Sequence, residues 1–219
     1  MFHLPISSLP GQFGNIDIYL FDQLLKGRIQ KGMKLLDAGC GGGRNVHYLM
    51  QAGVKVYGAD ASEAAISEVR KMAAEVAPTL ASKNFVVADL ADLPDADNAF
   101  DVVLCSAVLH FARDEAHFRN MLQELWRVLK PGGMLFCRFS TTIGMEGKLQ
   151  QVGPRKYQMP HGPVWFLADE ALLRELIYTL GAELLEPLKT VLVEQERSMT
   201  TLVLRKMEEP LRVMNKIKN

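Results

Sequence analysis

The sequence predicts an α/β fold built on a mostly parallel, doubly wound sheet. Three observations predict it. From residue 32 onward, short apolar runs alternate with amphipathic stretches of helical period, the pattern of βαβ units. The first run, Leu35-Leu36-Asp37-Ala38, breaks at its end into Gly39-Cys40-Gly41-Gly42-Gly43, and the second run closes on Asp60. The run at 101–107 is almost continuously apolar, as expected of a strand covered on both faces.

Each element follows from its local pattern. Ile16, Tyr19, Leu20, Gln23, Leu24 and Arg28 fall near helical spacing and predict a helix over 15–29, within an N-terminal helical segment of residues 1–31. Residues 34–38 read as the first strand and 44–52 as its helix; 54–59 read as the second strand. Ser62 then caps a helix whose Ile66, Val69, Met72 and Val76 share a face, and which stops before Pro78. Residues 85–88 and 101–107 are the third and fourth strands. Phe118, Met121, Leu122, Leu125, Trp126 and Leu129 mark the clearest amphipathic helix, started near Asp114 and stopped by Pro131-Gly132-Gly133; strand five follows at 134–139. Asp169 caps a helix bearing Leu172, Leu173, Leu176, Ile177 and Leu180, with Gly181 at its C-terminal end. The runs at 188–193 and 200–204 lie too close for a helical crossover and should pair antiparallel, as an edge hairpin.

The stretch 141–163 has no usable periodicity, several glycines and prolines, and a length unusual for a simple loop. Residues 141–166 are therefore a candidate substrate lid, and the polar, basic tail 207–219 is expected to fray. Everything from 1 to 206 reads as one domain.

Bulk composition narrows the partners. At 219 residues, with 48% hydrophobic and 23% charged side chains, the chain is of the ordinary globular class. Basic and acidic residues number 25 each, so bulk charge draws it neither to nucleic acid nor to an anionic membrane, and a small-molecule partner fits better. The three cysteines, Cys40, Cys105 and Cys137, form no short-spaced pair, which argues against a disulfide framework or a metal site and for a reducing, cytoplasmic setting. No run approaches the ~18 apolar residues of a membrane span, and residues 1–21 lack the pattern of a secretory signal. Oligomeric state leaves no trace in the sequence.

The glycine turn carries the chemistry. A ligand approaches such a backbone closely, because no Cβ intervenes and positive φ costs little. An acid at the end of the second strand is placed to accept hydrogen bonds from both hydroxyls of a ribose. Two chemistries use this arrangement: hydride transfer with a dinucleotide, and methyl transfer from S-adenosylmethionine. A dinucleotide fingerprint wants Gly-x-Gly-x-x-Gly, and here the last position is Arg44, too long for close helix–strand packing.

From residue 34 to 139 the sequence resembles the class I S-adenosylmethionine-dependent methyltransferases. Leu35 to Gly41 resembles their glycine motif, Tyr57-Gly58-Ala59-Asp60 the acidic strand end, Val87-Ala88-Asp89-Leu90 the adenine-side motif, and Phe100-Asp101-Val102-Val103-Leu104-Cys105 the fourth-strand motif. Leu129-Lys130-Pro131-Gly132-Gly133-Met134-Leu135 matches the turn before strand five. More weakly, Gly43-Arg44-Asn45 with Tyr48-Leu49, and the ending Thr201 to Lys206, look like the tellurite-resistance methyltransferases. The resemblance implies a Rossmann-like, seven-stranded sheet with S-adenosylmethionine as cofactor and no metal.

It also implies roles. Asp60, with Ala61 beside it, would hold the ribose, while Gly39, Cys40 and Gly41 admit the methionine portion and Asp37 faces its ammonium. Asp89 and the Leu90 N–H would read the adenine; Ser106 and Ala107 would permit close approach past strand four. Arg44 meets a carboxylate or lies in solvent. His110 is the first candidate for a general base and His161 the second, although a histidine that only fixes its loop is the favoured reading of His110. His3, His47 and His117 receive no role. The expected reaction is in-line methyl transfer to a small-molecule acceptor. Two rivals are a non-catalytic cofactor-binding module and a nucleotide-dependent oxidoreductase.

Overall fold

The computed structural model describes residues 5–160, 162–194 and 196–208. The helices are α1 (Leu9–Phe13), α2 (Ile18–Leu25), α3 (His47–Gln51), α4 (Glu63–Val76), α5 (Glu115–Val128) and α6 (Glu170–Thr179). The strands are β1 (Lys34–Ala38), β2 (Lys55–Asp60), β3 (Phe85–Val87), β4 (Phe100–Ser106), β5 (Leu129–Thr141), β6 (Gln150–Gly153), β7 (Lys156–Gln158), β8 (Val164–Phe166), β9 (Ala182–Leu184), β10 (Lys189–Val193) and β11 (Arg197–Lys206). The main sheet runs β10-β11-β5-β4-β1-β2-β3, with β1 to β5 mutually parallel and β11 antiparallel to β5. Both β9 and β10 pair with β11, at Leu204 to Lys206 and at Arg197 to Thr201 respectively, so the sheet is seven strands wide and its outer strand is broken in two.

The alternation of side chains divides the core. Leu36, Ala38, Val103, Cys105, Leu135 and Cys137 face α5 and α6; Leu35, Val56, Val102, Leu104 and Phe136 face α2, α3 and α4. Neighbours one residue apart in β1 thus serve opposite layers, which is why its sequence shows no polar alternation. Caps set the helix starts. Asp17 accepts from the Tyr19 N–H, Ser62 from Ala65, Asp114 from His117 and Asp169 from Leu172.

Several boundaries depart from expectation. The helix expected at 15–29 is α2, delayed by its Asp17 cap and preceded by the short α1. The helix expected at 44–52 begins only at His47, because Gly43, at φ +86°, turns the chain and residues 44–46 form a turn. Strand five starts at Leu129, where it pairs with Phe100; Lys130 to Gly133 then bulge out before Met134 pairs with Val102.

The stretch read as irregular is folded. β6, β7 and β8 form a separate antiparallel sheet, pinned to the domain where Phe166 stacks on Phe118 at 4.8 Å between ring centroids. Arg155 adds ion pairs to Glu115 and Asp169. The expected fraying of 207–219 concerns a tail of which only Met207 and Glu208 lie within the described residues.

Candidate functional site

A cleft of about 390 Å³ opens at the carboxyl ends of the parallel strands. Of the residues singled out in the sequence, Gly39, Asp60, Ala61, Asp89, Leu90, Ser106 and Ala107 line it together. A wider groove of about 800 Å³ lies at the opposite end of the sheet, beside the bulge of β5. Of its cations, Arg28, Lys130 and Arg205 are already paired with Glu186, Asp101 and Glu183, and the strand-end acids lie elsewhere.

At Gly39 and Gly43 the loop packs too closely for a side chain. Gly39 adopts φ +79°, and a Cβ there would stand 2.3 Å from the Val108 side chain. Its N–H and that of Cys40 both donate to the Ala59 carbonyl, at 2.7 and 3.1 Å, tying the loop to the end of β2. The Gly41 N–H donates to Asp60 Oδ2 at 2.9 Å, and a Cβ on Gly41 would meet only open space. Asp60 Oδ1 accepts the Ser62 N–H at 2.9 Å. Each oxygen keeps acceptor capacity, because a carboxylate offers about four lone-pair sites.

Asp37 stands behind the loop and is 1% exposed, with Oδ2 buried and without a hydrogen-bond partner. Burial pushes its carboxyl up to about 7, with Arg44 opposing and Asp60 reinforcing the shift. Cys40 is buried too; desolvation, then the nearby Asp37 and Asp60 carboxylates, push its thiol far up, so it is a packing residue and not a nucleophile. Arg44 is exposed and donates to the Asn15 carbonyl at 3.0 Å, outside the cleft. Asp89 Oδ1 accepts the Ala91 N–H at 2.9 Å, and that bond, more than any other influence, holds the carboxyl low.

Ala107 carries a side chain at φ +64°, a conformation that costs free energy and marks a constrained site. Its N–H donates to the Arg138 carbonyl at 2.6 Å, which holds the turn in place.

His110 is 3% exposed, and its ring packs 4.4 Å from both Phe111 and Trp165. Its Nδ1 accepts the Ser140 N–H in a long bond of 3.4 Å. Burial, with Arg197 adding to it, pushes the imidazole down to about 4. His161 lies outside the described residues.

Sequence reading missed a second group. Asp17, 4% exposed, accepts from Ser106 Oγ at 3.2 Å and from Arg138 at 3.0 Å, while its N–H donates to Asn45 Oδ1 at 3.0 Å. The segment before α2 is thus latched to the glycine loop and to the ends of β4 and β5. The signal available was an Asp followed by the apolar period of α2, which also marks a cap. Val108, Phe111, His117 and Met121 complete the cleft wall.

Comparison with known proteins agrees with this geometry. Residues 36–137 match the methyltransferase domain family. The ubiquinone biosynthesis O-methyltransferase of Cereibacter sphaeroides is 36% identical over 107 residues, 49% of this chain and 41% of that protein. The chain spans less than half the length of the first curated relatives it matches. Among solved structures, a SAM-dependent methyltransferase from Methanosarcina mazei superposes with a TM-score of 0.69 at 20% identity, covering 85% of this chain and 98% of the other. Magnesium protoporphyrin IX methyltransferase from Synechocystis, solved with SAM bound, gives 0.64 at 21% identity, covering 94% and 86%. The glycine turn and the strand-end acids fall within residues 36–137, the part of the chain that matches the methyltransferase domain family, and the fold is that of the solved SAM-dependent methyltransferases.

Proposed function

We propose that this protein transfers a methyl group from S-adenosylmethionine to a small-molecule acceptor by in-line displacement. The observation that carries the reading is the convergence of the Gly39 turn, Asp60 and Asp89 on one cleft at the ends of β1, β2 and β3. Two features of the glycine loop and its surroundings fit that cofactor. Asp37 Oδ2 is a buried acceptor with no donor, suited to an ammonium group directly or through water. The space beside Gly41 is open where any other loop residue would project a side chain.

Asp60 takes the ribose hydroxyls, and Asp89 with the Leu90 N–H reads the adenine edge. Gly39, Cys40 and Gly41 pass the methionine portion beneath Ala107, with Ser106 beside it. Arg44 acts at one remove, on the segment before α2 and on the charge of Asp37. When bound, S-adenosylmethionine supplies a methyl group already activated on a sulfonium. The chain therefore has to hold an acceptor in line at about 3–3.5 Å and exclude water. His110 is a spacer in the acceptor wall and not a base, since its Nδ1 lone pair is committed to Ser140 and burial has reduced its basicity. Acceptors that are already ionised or soft, such as thiolates, suit such a site. The β6–β8 sheet forms the acceptor-side cover of a single domain spanning 1–206.

Calorimetric titration with S-adenosylhomocysteine tests the reading. Asp60→Ala removes two charge-assisted hydrogen bonds to the ribose of roughly 1.5–3 kcal/mol each, so affinity should fall at least about tenfold in a chain that stays folded, with a lower thermal midpoint because the Gly41 and Ser62 N–H groups lose their acceptor. A folded Asp60→Ala protein with wild-type affinity would sink the assignment, and tight NADH binding would reinstate the oxidoreductase. Product formation across thiols, phenols, amines and carboxylates then separates an enzyme from a binding module.

A further inference from the structure

His117 sits in the first turn of α5, where its own N–H donates to the Asp114 cap at 2.8 Å. Its ring folds back so that Nδ1 accepts the Arg113 N–H at 3.1 Å. An imidazole nitrogen that accepts an N–H carries no proton, so the neutral ring is protonated at Nε2. That Nε2 is buried and has no hydrogen-bond partner. It lies 3.7 Å from Asp89 Oδ1, just beyond hydrogen-bonding distance. Both side chains line the same cleft, as do Leu90 and Met121. Asp89 is tethered on its backbone side by the Ala91 N–H, while its side chain is 54% exposed toward the cleft. A buried donor left unsatisfied beside a ligand cleft is costly unless ligand binding supplies or moves an acceptor onto it.

We propose that His117 is a positioning residue for base recognition: its Nε2–H engages the Asp89 carboxylate when an adenine occupies the cleft, holding that carboxylate toward the exocyclic amine. The inference rests on the cofactor reading above. No proton changes hands in this contact. The carboxylate has acceptor capacity for Ala91, His117 and the amine together. A base with a carbonyl in place of the amine presents lone pairs to the same carboxylate, and a His117 fixed as donor keeps Asp89 from swinging away to relieve the repulsion. The pair thereby selects an amino-bearing base.

The test is a binding measurement on the whole chain, with S-adenosylhomocysteine and S-inosylhomocysteine titrated into wild type, His117→Ala, His117→Gln, Asp89→Ala and the His117→Ala/Asp89→Ala double variant. His117→Ala should weaken S-adenosylhomocysteine about tenfold and leave S-inosylhomocysteine within about threefold, because only the former uses Asp89. His117→Gln, which keeps a donor, should recover most of the loss. The double variant should bind no more weakly than Asp89→Ala alone, the signature of two residues acting through one contact. Wild-type affinity in His117→Ala, equal losses for both ligands, or losses that add in the double variant would each overturn the proposal. Should Ala disturb the first turn of α5, His117→Phe, which keeps the bulk of the ring and removes its donor, carries the same two-ligand decision. A wild-type chain that binds neither nucleoside would overturn the cofactor reading itself.

Discussion

Asp37 is a carboxylate held where solvent does not reach, with one oxygen unpaired, and its ionisation is therefore linked to whatever cation the cleft receives. Burial raises its folded value from 3.8 to about 7. The folded chain thus binds more protons at this site than the unfolded chain across that interval, so this group makes stability fall as pH rises from 3.8 to about 7. An ammonium placed against it reverses the preference and expels the proton. Calorimetry of S-adenosylhomocysteine binding near pH 7 in buffers of different ionisation heat should show net proton release, removed in Asp37→Asn. Identical heats in all buffers would refute the linkage. Asp37, Asp60 and Asp89 were legible from sequence because each follows an apolar run, and a strand end is a fixed address. Asp17 and His117 were not, since their roles depend on which helix turn packs against which strand end.

Elements were legible where one periodicity dominated. α4, α5 and α6 each pair a capping side chain with a clean apolar stripe, and all three begin where that cap predicts. β6, β7 and β8 give no such signal: their residues are mostly exposed or half-buried, with Phe166 alone fully inside, so no alternation is imposed on the sequence. Phe166 and Trp165 anchor β8, whereas β6 and the chain leading into it carry few buried side chains. As a cover for the acceptor side, this sheet should open at its β6 end. Within this segment trypsin should cut first after Lys148, because Arg155 and Lys156 are held by Glu115 and by the Ala112 carbonyl. Cleavage should slow when S-adenosylhomocysteine and an acceptor are both present; equal rates with and without them would make the sheet a fixed wall.

Across the whole molecule, α2 is fastened to the broken outer strand by one buried acid. Glu186, 7% exposed at its side chain, sits between β9 and β10 and pairs with Lys26, Lys189 and Arg28, the last at 2.8 Å. Burial alone would raise its carboxyl, but hydrogen bonds from Lys189, Lys26 and Arg28 outweigh it and hold the group at about 2, below its ordinary 4.5. The stabilisation is present above 4.5 and is lost as pH falls through about 2. Glu186→Gln should lower stability at neutral pH by about 1.5–3 kcal/mol. Its denaturation midpoint should then vary less than that of wild type between pH 4.5 and 2. Parallel acid profiles for the two proteins would count against the cluster as a structural clasp.

The position of β11 has a consequence in time. Last of the strands in the chain, it is an inner strand of the sheet, bonded to β5 along eight residue pairs from Ser198 to Arg205 on one side and to β9 and β10 on the other. A growing polypeptide can assemble β1 to β5 as soon as they leave the ribosome, but the flank of β5 then waits, unzipped, for more than fifty residues of further synthesis, as estimated from the chain order at about 5–20 residues per second. During those seconds the nascent domain carries an open edge that invites neighbouring chains, and the β6–β8 sheet leaves it open, because Thr141 meets Ala168 on the side of β5 that carries β4, opposite the side on which it meets Ser198.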